Sequence, residues 1–380
     1  MHNILLTGAS GYLGGSILAQ LHKSSIASTI LPAYGTIYTL IRNDTQAQAV
    51  RDYGAELTSF DPGDEAAIES FILGHEVSVV VWLIDVVGVE RQTLFIRALA
   101  KLRRQTGKEV HFLQVGSDFN PESALSLPSE KREADKLAYT SGAKIFSDLV
   151  GAPTNKPLLD TDHKLYEIQS EQQTRALFPA FKKAVSTNNT VINLAEELGV
   201  KSYIIAPCIV YGEGLGFGNK ISAQTVAIVR AAKEAKRVYR VDDNSPTWPV
   251  CHIRDNTDLY IRLLAAILSG NDNIRHGRQG YYLPSSGSVA WNDIYARMAV
   301  ALAKKGIVED EQVKLADDAA LEMMSRGLNC PKAYVRVQLA GKCTLTLKHG
   351  TEALGWVPKF APEHILETAE TEVELILKHI

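Results

Sequence analysis

Residues 3–21 read NILLTGASGYLGGSILAQL, and this stretch decides the fold. Its first five residues have the apolar character of a short buried strand, and residues 16–21 have the periodicity of a helix. The glycines Gly8, Gly11 and Gly14 lie between them. A strand, a glycine-rich turn and a helix in this order form the context that a dinucleotide-binding turn requires.

Each glycine has its own physical role in such a turn. Gly8 can adopt the tight turn, Gly11 lets the backbone approach a pyrophosphate, and Gly14 lets the helix pack closely on its strand. The anion then lies against helix amides that have no partner inside the helix. We predict that a dinucleotide contacts the turn through Gly8, Ser10, Gly11, Tyr12, Leu13 and Gly14.

Strand-like and helical segments alternate after this turn. We predict further strands at residues 36–42, 55–60, 77–84, 109–115 and 202–206, with helices between them, such as 91–104 and 190–198. This alternation predicts an α/β fold with a doubly wound parallel sheet, a Rossmann domain. Ligands of such sheets bind outside the carboxyl ends of the strands. The further candidates for cofactor contact at those ends are Asp61, Leu83, Pro207 and Ile209.

The end of the second predicted strand bears on the choice between the two nicotinamide cofactors. An NAD site usually has an acidic side chain there for the ribose 2′-hydroxyl, whereas this chain has Arg42 followed by Asn43. A guanidinium forms charge-assisted, often bidentate hydrogen bonds with a phosphate. We therefore predict NADP as the cofactor, in preference to NAD.

The chain changes character after about residue 245. Helices such as 258–268 and 290–304 dominate there, so we predict a cofactor-binding domain at 1–245 and a smaller, mostly helical substrate lobe at 246–380. The polar, charge-rich residues 116–139 are interpreted as an insertion into the first domain. Residues 212–218 contain four glycines, which is typical of a mobile loop over a substrate.

Composition excludes several functional classes. A net charge of −3 and a pI near 6.4 provide no basic field for nucleic acid or an anionic membrane. The four cysteines include no Cys-x-x-Cys pair, so we expect reduced thiols and no metal site. With no leader and no apolar run of about 18 residues, we expect a cytoplasmic protein. The expected partners are a small-molecule substrate and, at most, a second copy of the chain in a homodimer.

Several motifs resemble the short-chain dehydrogenase/reductase superfamily, in its extended or atypical, epimerase/dehydratase-like branch. Residues 7–14, TGASGYLG, have that branch's TGxxGxxG spacing. Residues 204–214, IIAPCIVYGEG, resemble its sixth strand and the exit beside the nicotinamide; residues 252–255 and 354–358 resemble its "HVxD" and "LGWxP" segments. The chain is most similar to fungal members. The resemblance implies NAD(P)-dependent oxidoreductase or epimerase/dehydratase activity on a small oxygenated metabolite, secondary metabolism included.

The catalytic residues that this resemblance implies do not match the sequence well. Members use a tyrosine, a lysine four residues later, and a serine or threonine at the end of the fifth strand. Tyr139 meets Lys144 at a spacing of five, and Ser170 follows Tyr166 at four. By position along the chain we predict Tyr166 and Lys183 as the catalytic pair.

Two alternatives stay open. Ser141, within Thr140-Ser141-Gly142, is the preferred catalytic hydroxyl because the family likeness resumes there, but Ser117 directly follows the predicted fifth strand. The absent tyrosine–lysine pair also leaves a non-catalytic NADP(H)-binding sensor or regulator as the second hypothesis for function.

Overall fold

The fold is built on a seven-stranded sheet in which every pair of neighbouring strands is parallel. The computed structural model describes residues 1–22, 30–41, 46–84, 88–116, 142–176 and 179–380. The strand order is β3-β2-β1-β4-β5-β7-β11. The chain therefore winds outward from β1 in both directions, which confirms the predicted doubly wound α/β fold.

The seven strands of the large sheet are β1 (Asn3–Leu6), β2 (Ile37–Leu40), β3 (Glu56–Thr58), β4 (Val77–Trp82), β5 (His111–Val115), β7 (Lys201–Ile205) and β11 (Tyr281–Tyr282). The remaining strands are β6 (Leu158–Leu159), β8 (Ile209–Tyr211), β9 (Tyr239–Arg240), β10 (Thr247–His252), β12 (Gly287–Ala290), β13 (Lys314–Leu315) and β14 (Leu345–Thr346). They form three small sheets: β12-β10-β8, β13-β9 and β14-β6.

The helices of the first half are α1 (Tyr12–Leu21), α2 (Ala47–Asp52), α3 (Glu65–Gly74), α4 (Glu90–Thr106), α5 (Leu165–Arg175) and α6 (Pro179–Leu198). Those of the second half are α7 (Ala223–Ala235), α8 (Ile253–Leu268), α9 (Trp291–Lys304), α10 (Asp318–Leu328), α11 (Val335–Leu339), α12 (His349–Leu354), α13 (His364–Glu367) and α14 (Ala369–Leu377). Within the described ranges, no helix has both the length and the apolar character that crossing a membrane requires.

Helix α4 shows how local sequence produces these elements. Its buried side chains include Phe95, Leu99 and Leu102, spaced as one face of a helix requires. Gly107 ends the helix in the left-handed conformation, with a φ of 71°, and donates its amide to the carbonyl of Arg103. This apolar stripe packs against the sheet at β4, and all six residues of β4 are buried.

The segment between β5 and α6 adds a layer that the periodicity of the sequence did not reveal. Helix α5 packs along α6 through paired amide side chains: Asn188 donates to Gln169 at 3.4 Å, and Asn189 donates to Gln173 at 3.1 Å. These polar side chains interrupt the apolar pattern of α6. For this reason the sequence predicts a helix only from Thr190, whereas in the structure α6 begins eleven residues earlier, at Pro179.

The carboxyl-terminal part also differs from the predicted two-domain division in one respect. Strand β11 pairs with β7, with Tyr281 opposite Ile204 and Tyr282 opposite Ile205. Residues beyond 245 thus complete the large sheet as its edge strand. The boundary at 245 stays a prediction. Helices dominate the rest of this region, and its three tryptophans, Trp248, Trp291 and Trp356, are at most 2% exposed.

Candidate functional site

The turn between β1 and α1 has the geometry that its glycines predict. Gly8 has a φ of +68°, a value that side-chain-bearing residues rarely adopt, and its carbonyl accepts the amide of Gly11 at 2.9 Å. Gly11 is the N-cap of α1 and has no side chain with which to cap it. The first amides of an α-helix have no acceptor within the helix, so this helix end can bind an anion.

Gly14 allows the closest contact in the turn. A Cβ atom on Gly14 would lie 2.8 Å from the carbonyl carbon of Gly8 and closer still to its oxygen. These are backbone atoms that cannot rotate away. A Cβ atom on Gly11, in contrast, would meet only the oxygen of Gly8, at 3.1 Å. Gly14 is thus required for helix α1 to close on the turn, and Gly11 leaves one side of the turn open to an approaching group.

The glycine-rich residues 212–218 pack directly against this turn. A Cβ atom on Gly216 would lie 2.7 Å from the oxygen of Gly15, and one on Gly218 would lie 2.8 Å from the carbonyl carbon of Ser10. The amide of Asn219 donates to the carbonyl of Ser10 at 2.9 Å. Sequence reasoning interpreted these glycines as those of a mobile loop over a substrate, but in the structure they allow two backbone segments to pack closely together.

Tyr12 joins the two segments through its side chain. Its ring is 3% exposed, and its hydroxyl donates to the carbonyl of Gly212 at 2.6 Å. Ser16 adds a second link, because its hydroxyl accepts the amide of Leu215 at 3.0 Å. The TGxxGxxG spacing located Tyr12, but its bond to a residue 200 positions away could not be predicted from that spacing.

A buried carboxylate supports the same loop from behind. Glu372 accepts the amide of Gly212 at 3.0 Å and the hydroxyl of Thr225 at 2.8 Å. Burial raises the pKa of Glu372, and these two hydrogen bonds act in the opposite direction. No sequence motif identified Glu372, because it lies in the final helix, α14.

His252 and its neighbours form the wall next to Gly212. Burial and, to a lesser extent, the nearby His364 and Arg254 together lower the pKa of His252 to about 4. Its ring lies 4.0 Å from that of Phe360, and its Nδ1 accepts the amide of Arg254. His252 is therefore a neutral packing residue that caps α8, whereas Asp255 accepts the amides of Lys359 and Phe360.

The carboxyl ends of the central strands meet beside the turn. Leu83, which follows β4, donates its amide to the hydroxyl of Thr7 at 2.8 Å. A Cβ atom on Gly8 would lie 3.2 Å from the Cβ of Leu83. The structure thus brings Leu83 to the glycine turn, at the edge where the sequence predicted a cofactor contact.

A second close approach joins the ends of β5 and β7. The backbone of Gly142 lies against that of Gly116. A Cβ atom on Gly116 would be 2.9 Å from the Gly142 nitrogen. Ala143 donates its amide to the carbonyl of Pro207 at 2.7 Å. Ile209 follows as the first residue of β8 and is 1% exposed. Residue 142 therefore lies at the end of β5, although 26 positions separate it from Gly116.

Asp61 and Arg42 are the remaining residues predicted to contact the cofactor. Asp61 is exposed, and its carboxylate accepts the amide of Gly63 at 2.8 Å; the residue that caps α3 is Asp64. Arg42 lies outside the described residues, as do the two hydroxyl candidates, Ser117 and Ser141. Their roles stay predictions.

The structure does not bring Tyr166 and Lys183 together. The Tyr166 hydroxyl donates to the side chain of Asn193 at 2.7 Å, and the guanidinium of Arg278 lies 4.7 Å from its ring centre. Lys183 is exposed on the same helix as Asn193, ten residues earlier, which corresponds to about 15 Å along the axis. Helix α6 itself contains no tyrosine that could pair with Lys183 in place of Tyr166. The catalytic roles of Ser141, Tyr166 and Lys183 stay predictions.

These residues fit a dinucleotide cofactor better than a metal. The left-handed conformation of Gly8, the open side of Gly11 and the amide end of α1 together form the cradle that a pyrophosphate requires. Among the described side chains, no group of three or more His, Cys, Asp or Glu is placed to hold a metal ion.

Comparisons with known proteins agree with this geometry. A family model described as the NAD dependent epimerase/dehydratase family matches residues 4–275. Among curated proteins, an oxidase of Acremonium sp. named ucsJ is 20% identical over 339 residues, 83% of each chain. Quinone oxidoreductase 2 of Escherichia coli (strain K12) is 31% identical over 140 residues, 37% of this chain and 45% of that protein.

Solved structures share the fold at low sequence identity. UDP-glucose 4-epimerase of Thermotoga maritima, solved with UDP-glucose, has a TM-score of 0.57 at 15% identity, over 99% of both chains. The dTDP-glucose 4,6-dehydratase of Bacillus anthracis, solved with NAD, has a TM-score of 0.58 at 12% identity, over 99% of this chain and 97% of that one. With the family match over most of its length, the chain belongs to the NAD dependent epimerase/dehydratase family and is an NAD(P)-dependent enzyme of the oxidoreductase and epimerase class.

Proposed function

We propose that the protein is an NADP(H)-dependent oxidoreductase or epimerase/dehydratase that acts on a small oxygenated metabolite. The observation that carries the proposal is the glycine turn, where Gly8 and Gly14 bring the first amides of α1 to one anion-binding point. The two curated relatives, an oxidase and a quinone oxidoreductase, support redox chemistry over epimerisation. The fungal source of the first relative supports a substrate from secondary metabolism.

Different groups of the chain bind different parts of the cofactor. The amides at the start of α1 hold the pyrophosphate, and Arg42 binds the 2′-phosphate that distinguishes NADP from NAD. Leu83, Pro207 and Ile209 provide apolar contact at the carboxyl edge of the sheet. The bound cofactor supplies or accepts a hydride.

A proton must move at the substrate oxygen when a carbonyl and an alcohol are interconverted. Ser141, Tyr166 and Lys183 are the groups we propose for this proton transfer. Residue 142 lies at the end of β5, between Gly116 and Pro207; this agrees with Ser141, its neighbour in the chain, and equally with the alternative Ser117, the neighbour of Gly116.

The cofactor proposal is tested by titrating the protein with NADPH and with NADH. We expect NADPH to bind at least tenfold more tightly, and Arg42→Asp to reverse that preference, because a carboxylate repels the 2′-phosphate. Arg297→Asp, on the exposed face of α9, is the matched control and should leave both affinities unchanged. Tight NADH binding with no preference for NADPH would contradict the proposal.

Turnover is tested separately, by following NADPH consumption with a set of quinones, ketones and aldehydes. Reduction of at least one class is the expected result. NADPH binding without turnover of any of them, and with no epimerisation or dehydration of sugar nucleotides, would instead favour the NADP(H)-binding sensor.

A further inference from the structure

Both polar backbone groups of Gly212 are held by side chains. The amide of Gly212 donates to Oε2 of Glu372 at 3.0 Å, and its carbonyl accepts the hydroxyl of Tyr12 at 2.6 Å. Gly212 has a φ of +93°, and a Cβ atom at this position would lie 2.6 Å from Nε2 of His252. Because glycine has no side chain and a wide choice of backbone conformations, these two hydrogen bonds set the orientation of its peptide groups.

Glu372 is a buried carboxylate that meets only neutral donors in the described part of the chain. It is 4% exposed, and its second oxygen, Oε1, accepts the hydroxyl of Thr225 at 2.8 Å. Thr225 lies in the first turn of α7, where the helix dipole favours a negative charge. Burying a carboxylate without a cation is costly. The two hydrogen bonds offset that cost only while both are made, so Glu372 holds the amide of Gly212 in one place.

The hydroxyl of Tyr12 carries this constraint to the start of α1. Tyr12 is the first residue of the helix, and the amide of Gly15 donates to the carbonyl of Gly11 at 2.8 Å. The amides of Leu13 and Gly14, which precede that bond, have no acceptor within the helix and can bind a phosphate. Helix ends fray readily, and a side chain anchored outside the helix opposes that fraying.

We propose that Glu372 is a positioning residue for the nicotinamide cofactor, and that it acts through Gly212 and Tyr12 on the amides at the start of α1. Without its side chain, the peptide groups of Gly212 can turn away from Tyr12, and the phosphate-binding amides lose their support. The last helix of the chain, α14, thereby becomes part of the cofactor site. The inference rests on nucleotide binding at the glycine turn, which the proposed function also requires.

The inference is tested by a double-mutant cycle in which the affinity for NADPH is measured. Glu372→Ala removes both acceptors, and Tyr12→Phe removes the hydroxyl but keeps the ring. We expect each substitution to weaken NADPH binding by about fivefold or more. The double variant should bind about as weakly as the weaker single variant, because both changes break the same series of contacts. Effects that multiply in the double variant would show that Glu372 does not act through Tyr12 and would overturn the inference.

A purely structural role is distinguished by a matched control. Asp160, next to the small β14-β6 sheet, is also a buried carboxylate: it is 2% exposed, and its Oδ1 accepts the amides of Lys348 at 2.7 Å and His349 at 2.9 Å. Burial raises the pKa of Asp160 to about 6, as it also raises that of Glu372. Asp160→Ala should lower the thermal transition but leave NADPH affinity, measured well below that transition, unchanged. If Glu372→Ala likewise lowers only the thermal transition, Glu372 serves the fold alone and the inference fails.

Two further variants separate the hydrogen bond from the charge and from the volume of the side chain. Glu372→Gln keeps an oxygen that can accept the amide of Gly212 and should bind NADPH nearly as tightly as the unchanged protein. Glu372→Met fills the same space without such an acceptor and should bind as weakly as Glu372→Ala, which it replaces in the cycle if the alanine variant does not fold. Full affinity in Glu372→Met, or no recovery in Glu372→Gln, would overturn the inference.

The same titrations keep this inference separate from the proposed function. If the unchanged protein prefers NADH, the choice of cofactor is contradicted; the cycle is then measured with NADH, and coupling between Glu372 and Tyr12 still supports the positioning role. NADPH binding without that coupling contradicts this inference alone. Binding of neither nucleotide by the unchanged protein would contradict both.

Discussion

Replacing Gly14 by alanine tests the physical basis of the cofactor site. The added Cβ would lie 2.8 Å from the carbonyl carbon of Gly8, whereas carbon atoms in contact are normally about 3.5–4.0 Å apart. The backbone of the turn must therefore move by roughly 1 Å. Such overpacking typically costs about 1–3 kcal/mol, and the higher helix propensity of alanine offsets about 0.5–1 kcal/mol. We expect a net loss of about 1–2 kcal/mol in the free energy of unfolding.

The same displacement should weaken nucleotide binding. A shift of roughly 1 Å exceeds the tolerance of a backbone hydrogen bond to a phosphate, and hydrogen bonds to charged groups contribute about 1.5–3 kcal/mol each. Loss of one such bond predicts at least a tenfold weaker affinity for NADPH. Urea unfolding measures the first effect, and fluorescence titration with NADPH measures the second.

Gly74→Ala is the matched control for this substitution. Gly74 is also helical, at the end of α3, but no atom lies within 4 Å of the Cβ it would gain. Stability should stay unchanged or rise by up to about 1 kcal/mol, and NADPH affinity should not change. If Gly14→Ala behaves like Gly74→Ala in both assays, the turn is not closed on itself as described, and the reasoning fails.

Three further substitutions test other parts of the structure. Gly11→Val should abolish NADPH binding with the fold intact, because a branched side chain would fill the open side of the turn; unchanged titration would contradict the cofactor site. Tyr166→Phe should lower turnover by about two to four orders of magnitude if the phenol is the proton donor. Wild-type turnover, with the free energy of unfolding reduced by about 1 kcal/mol, would show that the Tyr166 hydroxyl serves its hydrogen bond with Asn193 and not catalysis. The raised pKa of Asp160 means that the folded state holds its proton more tightly, so this group's contribution to stability falls as pH rises from about 4 to about 6. Asp160→Asn should reduce that fall in urea unfolding between these pH values, and an unchanged pH profile would contradict the assignment.

Periodicity and turn chemistry predicted the central sheet from the sequence. The ends of strands β1, β2, β4, β5 and β7 lie within two residues of the predicted ends, because these segments are almost entirely buried. Strand β11 has only two residues, too few to produce a pattern in the sequence. It forms by pairing with the edge of β7, at Ile204 and Ile205. The start of α6 was placed eleven residues late because Asn188 and Asn189 face α5 rather than solvent.

The candidate site was predictable where one short segment determines it, and not where distant segments meet. The positive φ of Gly8 and the close packing of Gly14 follow from the spacing in residues 7–14. The supports of Gly212, in contrast, come from Tyr12 and Glu372, residues that 360 positions separate. Such contacts arise from tertiary packing, which leaves no local periodicity.

The two glycine-rich segments show that one composition can have opposite physical meanings. Glycine permits flexibility, but it also permits two backbones to approach where no Cβ would fit. The sequence of residues 212–218 indicated flexibility. In the structure, Gly216 packs against Gly15 and Gly218 against Ser10, which shows close approach of two backbones instead. The difference matters for the site, because residues 212–218 follow β8, which pairs with β10, and so join the small sheet to the glycine turn. Gly15, Gly216 and Gly218 are therefore best understood as parts of one backbone contact between the two segments.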